Sequence, residues 1–359
     1  MKHPLPYFLN KKIRCLSMRI IKLFLPEAKK EHDGIPKDQI KKILLVRANF
    51  RIGNVILATP SIVIFRENFP HATLDFAGYP VSGLLYKHLP VNRHYSITRS
   101  FPGVLWAYFF LLCKIRSVKY DLAVDVSCSQ STISSCIVGF SGARFRVGAR
   151  GKWDRWFNIA IQRPTETNKY KALPLFLRNM GMDTHQTLPQ LILSPEEKET
   201  GRRKLTTLIG GNQVRIIGVF VGGRRLKGKK WPEENFVKLI IALRAQEIPV
   251  VVFFGPDEKR RMGFFEQSLG KDIPLVFEPS LRAFASLVSH CTLFITCDSG
   301  PMHMACALGV RTLALFLKRN FNRWGPPSTI AQILYCSGGI EIEDVMKAAV
   351  SELCHASSA

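Results

Sequence analysis

Cys291-Thr-Leu-Phe-Ile-Thr-Cys297 leads into Asp298-Ser-Gly-Pro-Met-His303 and then Met304-Ala-Cys-Ala-Leu-Gly309. An apolar run, a tight turn of small residues and a helix-forming stretch with proline at its first position spell strand, turn, helix. Backbone N–H groups and the positive end of the helix dipole then face the turn, where a diphosphate fits. Ser299 and Gly300 let a ligand approach the main chain, and Gly300 is free to take a positive φ. Asp298 and His303 add polar side chains to the same rim. The same letters also fit a helix capped by Asp298 or Ser299 with His303 as a core residue.

Working outward, the second half of the chain repeats this alternation. Val214–Val221, Pro249–Phe254 and Arg311–Phe316 read as further strands, with helices over Trp231–Gln246 and Leu281–His290. The first half follows the same rule. Ile40–Val46 is a strand apolar on both faces once past its lysines, as in parallel sheets, and Thr73–Ala77, Tyr120–Val126 and Arg144–Gly148 are further strands. Helices are expected from Val55 to Asn68, interrupted near Pro60, and from Val104 to Arg116. The prolines of Leu188-Pro189 and Ser194-Pro195 mark the crossing between halves. The expected fold is α/β, with two Rossmann-like domains at 40–189 and 190–345 facing each other across a cleft. A basic amphipathic segment (1–39) precedes them, and a C-terminal tail (346–359) follows.

The 359 residues carry a net charge of +24, with 47% hydrophobic side chains. Such an excess calls for a polyanionic partner, whether nucleic acid, anionic membrane or phosphorylated substrate. Nine cysteines stand singly without a C-x-x-C pair. They fit buried thiols in a reducing compartment, not disulfides or metal ligands, and no metal site is expected. The apolar run Val104–Cys113 is about half a membrane span and ends in Lys114-Ile-Arg116, which predicts a buried helix. Near the N-terminus, Lys11, Lys12, Arg14, Arg19 and Lys22 alternate with apolar residues, and no acid occurs before Glu27. This pattern suits a helix lying on an anionic leaflet or packing on its own domain.

Three loops at strand ends combine small residues with charge: Arg47 to Asn54, Gly222 to Trp231, and Asp298 to His303. Gly223 to Lys229 spells the letters of a Walker loop, but Lys230 stands where Ser or Thr would hold magnesium, and Trp231-Pro232 follow. The match is accidental. Lys229 still offers a point charge to phosphate, whereas Arg224, Arg225 and Lys227 read as a solvated run. Gly255-Pro-Asp-Glu258 offers carboxylates to sugar hydroxyls, or forms a turn into a capped helix.

Taken in order, Ile43-Leu-Leu-Val-Arg47 with Gly53-Asn54 and Thr59-Pro60, Tyr120-Asp-Leu-Ala-Val-Asp125, Lys229-Lys-Trp-Pro-Glu233, Gly255-Pro-Asp-Glu258, and Thr296-Cys-Asp-Ser-Gly-Pro-Met-His303 with Trp324-Gly-Pro326 resemble glycosyltransferase family 9, the lipopolysaccharide core heptosyltransferases. The resemblance spans residues 40 to 330. It implies a GT-B fold, an N-terminal acceptor domain, a C-terminal nucleotide-sugar domain and metal-independent inversion. By the same resemblance Lys229 meets phosphate or sugar, and Asp298, Ser299, Gly300 and His303 line the diphosphate and sugar region. Glu258, or Asp257, reaches the nucleotide.

Here the sequence departs from the family, which usually places aspartate after the glycine of the first loop as general base. This chain has Asn54, and a carboxamide orients a hydroxyl without taking its proton. Asp125, at a neighbouring strand end, is the substitute expected from sequence; slow or absent catalysis are the alternatives. Arg47, Arg51 and Gly53 are assigned to the acceptor side, the arginines touching acceptor phosphates or solvating the loop.

The expected activity is transfer of heptose, from ADP-heptose, to a phosphorylated glycolipid, with no further cofactor. The expected place is the cytoplasm, peripheral on the inner face of the inner membrane. The alternative is a non-catalytic relative that binds sugar nucleotide or lipid. Nucleic-acid binding rests on charge only, since no helix-turn-helix, zinc-finger or RNP pattern accompanies it.

Overall fold

The computed structural model describes residues 34–98, 104–129, 131–185, 187–211, 215–223, 228 and 230–355. The basic stretch before residue 34, the solvated run Arg224, Arg225 and Lys227, and Lys229 lie outside the described residues. The first sheet contains β1 (Lys42–Arg47), β2 (Thr73–Gly78), β3 (Arg93–Ser96), β4 (Leu122–Asp125), β5 (Phe145–Ala149) and β6 (Ile159–Ile161). The second contains β7 (Ile217–Phe220), β8 (Val250–Phe254), β9 (Leu275–Phe277), β10 (Leu293–Cys297), β11 (Arg311–Leu315) and β12 (Ala331–Leu334).

The strand orders are β3-β2-β1-β4-β5-β6 and β12-β11-β10-β7-β8-β9, and every pairing is parallel. In each sheet the order reverses beside the first strand of its half. Two doubly wound units therefore place their loops, and any ligand, at the strand carboxyl ends. The strand cores are buried on both faces: Ile43, Leu44, Leu45 and Val46 are fully inaccessible. This explains their unbroken apolar runs.

The two units share one apolar interior. Ile56, Leu85, Leu191, Leu193, Phe284, Met304 and Ala307 belong to a single cluster that crosses from one to the other. Polar contacts fix the crossing chain. Thr59 Oγ1 accepts from the Gln190 N–H at 2.8 Å, and the Leu191 N–H donates to the Ala307 carbonyl at 2.9 Å. Glu197 completes a capping box on Ser194 and also pairs with Arg282. Arg282 in turn donates to the Leu84 carbonyl of the first unit at 3.1 Å.

Three expectations need correction. The Val104–Val118 helix is not buried: Leu111 and Ile115 face the core, but Trp106, Phe109 and Phe110 are exposed. Of the expected tail at 346–359, the described residues 346–355 belong to the Ile342–His355 helix, which buries Val345, Ala348, Ala349 and Leu353 in the second domain's core. Before Asn68 there are two helices, Ile52–Ile56 and Thr59–Asn68, where one interrupted helix was expected. Pro60 is the second residue of the Thr59–Asn68 helix, in the first turn, where its missing N–H costs nothing.

Candidate active site

A cavity of about 530 Å³ opens between the carboxyl ends of the two sheets. Its size is that of an ordinary small-molecule site. One wall is the loop after β1 with Phe50 and Arg51, followed by Gly53 and Asn54 in the first turn of the Ile52–Ile56 helix; the facing wall is Asp298, Ser299, Gly300 and His303. The segment from Thr296 to Gly309 is thus open to a ligand at its leading turn.

Ser299 is the N-cap of the Gly300–Ala307 helix, its Oγ accepting from the Met302 N–H at 3.4 Å and touching Thr296 Oγ1 at 3.1 Å. Pro301 is the second helical residue, not the first as expected. Gly300 has no positive φ, so its need is different. A Cβ there would lie 3.3 Å from the Ile52 Cβ, and one on Gly53 would lie 2.5 Å from His303 Cδ2. Both glycines serve close approach of the two domains. They bring the Asn54 loop onto the N-terminal end of the helix.

His303 is buried among groups that fix its ring. Nδ1 lies 2.7 Å from the Tyr170 hydroxyl, and Trp324 meets the ring edge-on. Burial raises the pKa of the Tyr170 hydroxyl and of the neighbouring Cys306 thiol. The other ring nitrogen, Nε2, lies on the side of the first domain. That Nε2 is 3.3 Å from where a Gly53 Cβ would stand. Asn54 follows at once, its Nδ2 donating to Asn49 Oδ1 at 3.4 Å.

On the second domain's side, Asp298 Oδ2 accepts from Asn320 Nδ2 at 2.6 Å. Glu258 is 7% exposed at the cavity edge, with Oε1 accepting from the Gly223 N–H at 3.4 Å. Burial raises its carboxyl pKa, against the opposing pull of that N–H. Phe220, Leu281 and Phe284 supply an apolar wall beside it, and Asp257 lines the same end.

Asp125 is not in the cavity. It is 2% exposed beneath the first loop, accepting from the Ser127 N–H and the Ser135 hydroxyl, each at 3.0 Å. Burial pushes its pKa up to about 6. Each oxygen accepts one of these bonds, and the buried carboxylate does not line the cavity. Arg47 ties the same region together by donating to the Val126 carbonyl at 3.0 Å.

A family model described as "Glycosyltransferase family 9 (heptosyltransferase)" matches residues 109–348. The chain belongs to glycosyltransferase family 9. It is a glycosyltransferase of the heptosyl-transferring kind, built on a GT-B fold. Among curated proteins it is 26% identical over 293 residues to lipopolysaccharide heptosyltransferase 3 of Escherichia coli, covering 76% of this chain and 83% of that one. A solved glycosyl transferase family 9 structure from Veillonella parvula superposes with a TM-score of 0.80 at 19% identity, over 88% of this chain and 97% of that chain. The E. coli ADP-heptose lps heptosyltransferase II structure gives 0.69 at 20% identity, over 88% and 99%.

Within this family 9 glycosyltransferase, sequence reasoning missed the residues that brace the site. Tyr170 and Lys169 begin a helix, Lys169–Arg178, that carries an interior proline. Asn168 caps it and donates to the Gly325 carbonyl at 3.0 Å, joining the two domains. Lys169 is half-buried, and its pKa is lowered by burial, then by Arg323 and Arg47. Such a gathering of like charge is stabilised when an anion lies among them. Its legible signal was Asn168, a helix N-cap.

Proposed function

We propose that the protein transfers heptose from ADP-heptose to a phosphorylated glycolipid of the lipopolysaccharide core type, with inversion and without a metal ion, at the inner face of the inner membrane. Family membership and relatives that are lipopolysaccharide heptosyltransferases support the sugar and the acceptor class. One observation carries the chemistry: Gly53 against His303 puts the Asn54 loop opposite the helix start that bears Ser299 and Gly300.

In this reading the donor diphosphate rests on the Ser299 and Gly300 N–H groups and the helix dipole, with Lys229 as countercharge. Glu258 accepts ribose hydroxyls, and the base lies on Phe220 and Phe284. Arg47, Lys169 and Arg323 receive an acceptor phosphate. Asn54 orients the acceptor hydroxyl, whose oxygen bonds the anomeric carbon from the side opposite the leaving group. The bond from that carbon to the diphosphate breaks with its electron pair, ADP departs, and the hydroxyl proton passes to His303 Nε2.

Asn54 favours a second reading, in which the same cleft binds nucleotide sugar without turnover. Mass spectrometry of truncated core lipids incubated with a panel of nucleotide sugars, with and without EDTA, separates the two. A heptose adduct that forms in EDTA is expected. Nucleotide binding with no adduct from any donor would overturn the enzyme reading.

A further inference from the structure

The Val104–Val118 helix has two apolar faces, and the core occupies only one. Leu111 and Ile115 are buried with Leu44, Val46 and Tyr120. On the other side Trp106, Phe109 and Phe110 are 68%, 55% and 59% exposed, their ring centroids 5.8 to 6.4 Å apart. With 3.6 residues per turn, positions 106, 109, 110 and 113 form one stripe, and Lys114 and Arg116 fall on its two sides. Both are exposed, as is Lys119 just beyond the helix. An exposed patch of this type marks an interaction surface.

Charge identifies what covers it. Between Asp75 and Asp121 the chain has no acid, while it carries Lys87, Arg93, Arg99, Lys114, Arg116 and Lys119. Aromatic rings flanked by the exposed Lys114, Arg116 and Lys119 match the headgroup zone of an anionic bilayer. Topology adds a direction. The helix begins after the carboxyl end of β3 and returns toward the start of β4, so its aromatic first turns sit at the same end of the sheet as the Asn54 loop.

We propose that Trp106, Phe109 and Phe110 are the membrane-docking surface of this protein, inserted among the headgroups of an anionic bilayer with Lys114, Arg116 and Lys119 on lipid phosphates. This deepens the lipid-acceptor reading and rests on it, because docking by that face holds the first-domain side of the cleft near the membrane plane.

The test is co-sedimentation of the full chain with phosphatidylethanolamine–phosphatidylglycerol vesicles and with phosphatidylcholine vesicles. It is run beside heptose transfer to detergent-dispersed core lipid. Replacing Trp106, Phe109 and Phe110 together by Ser is expected to lower binding to the anionic vesicles by roughly tenfold or more, with transfer to dispersed lipid retained. Trp106→Tyr is expected to keep most of the binding. Brominated lipid is expected to quench a fluorescence component that Trp106→Phe lacks. Undiminished vesicle binding by the serine variant overturns the surface, as does a Trp106 component inaccessible to lipid because residues 1–33 or a second copy cover it. If docking depends on the aromatics while no sugar is transferred to any acceptor, the surface stands and the lipid-acceptor reading fails.

Discussion

The imidazole of His303 lies so close to the backbone of Gly53 that a methyl group on that glycine would be 2.5 Å from Cδ2. The ring cannot yield easily, because Tyr170 holds Nδ1 at 2.7 Å and the residue is buried. Gly53→Ala is therefore expected to push the first domain's loop away from the helix start. A displacement of about 1 Å between reacting groups lowers kcat by on the order of a hundredfold. ADP affinity, which our reading assigns to the second domain, is expected to stay within about threefold by calorimetry, since no cost of unpairing a buried polar group is incurred there. An unchanged kcat would mean that the two walls do not act together.

If His303 takes the acceptor proton, its loss and a new carboxylate at position 54 are coupled. His303→Ala is expected to lower kcat by about 10²- to 10⁴-fold, the range of a general base. Asn54→Asp in that background supplies a replacement base, and part of the activity is expected to return. The four rates of this double-mutant cycle check the coupling. Equal effects of Asn54→Asp with and without His303 would assign the proton elsewhere.

Asp125 is expected to be dispensable for chemistry and relevant to pH-dependent stability. Its folded-state pKa, about 6, is raised by burial above the ordinary 3.8. The sign follows: the folded state holds a proton that the unfolded chain releases, so the favourable contribution is greatest below about pH 4 and is lost as pH rises through about 6. Asp125→Asn removes this dependence. Denaturant melts are expected to show a flatter pH profile over pH 4 to 7 for the variant, with transfer activity within a few-fold of the parent; a loss of about 10² or more would restore Asp125 as base.

The contrast between Asp125 and His303 shows what sequence could and could not convey. Strands such as β1 and β10 were legible because a strand buried on both faces has to be apolar throughout, and the Asp298 turn because capping chemistry is local. β3, β6 and β9 are short pieces of three or four residues with little pattern to read. Asp125 sits at a strand end in both descriptions, yet whether its side chain points into the cleft or beneath the loop depends on Ser127 and Ser135. The partnership of Tyr170 with His303 spans 133 positions, so no local pattern announces it. Trp106, Phe109 and Phe110 misled for a physical reason: apolar side chains look alike in sequence whether core or membrane receives them.

Lys169 gives a prediction about the acceptor. Its ammonium shares its surroundings with Arg323 and Arg47, and its pKa is lowered by burial first and by these cations second. Lys169→Met relieves repulsion in the unliganded protein, so thermal stability is expected to hold or rise. An acceptor phosphate loses a charge-assisted contact, worth about tenfold in KM, with kcat little changed. Comparing phosphorylated with dephosphorylated acceptors checks this. The variant is expected to discriminate less between them and to depend less on salt.

Glu258 links a buried charge to nucleotide binding. Burial raises its pKa, so its contribution to folding is most favourable at low pH and is lost as pH rises through the folded-state value. The ionised form is nevertheless the one that accepts the Gly223 N–H and, in our reading, the ribose hydroxyls. Glu258→Gln keeps the shape and discards the charge. At pH 8 the variant is expected to be at least as stable as the parent. It is expected to bind ADP about five- to tenfold more weakly, the loss of one charge-assisted hydrogen bond weighed against a neutral one. In the parent, ADP affinity is expected to fall on acidification as the carboxylate takes up its proton, and in the variant this acid limb is absent. Calorimetric titrations from pH 5 to 8 measure both slopes, and parallel slopes would remove Glu258 from the nucleotide site.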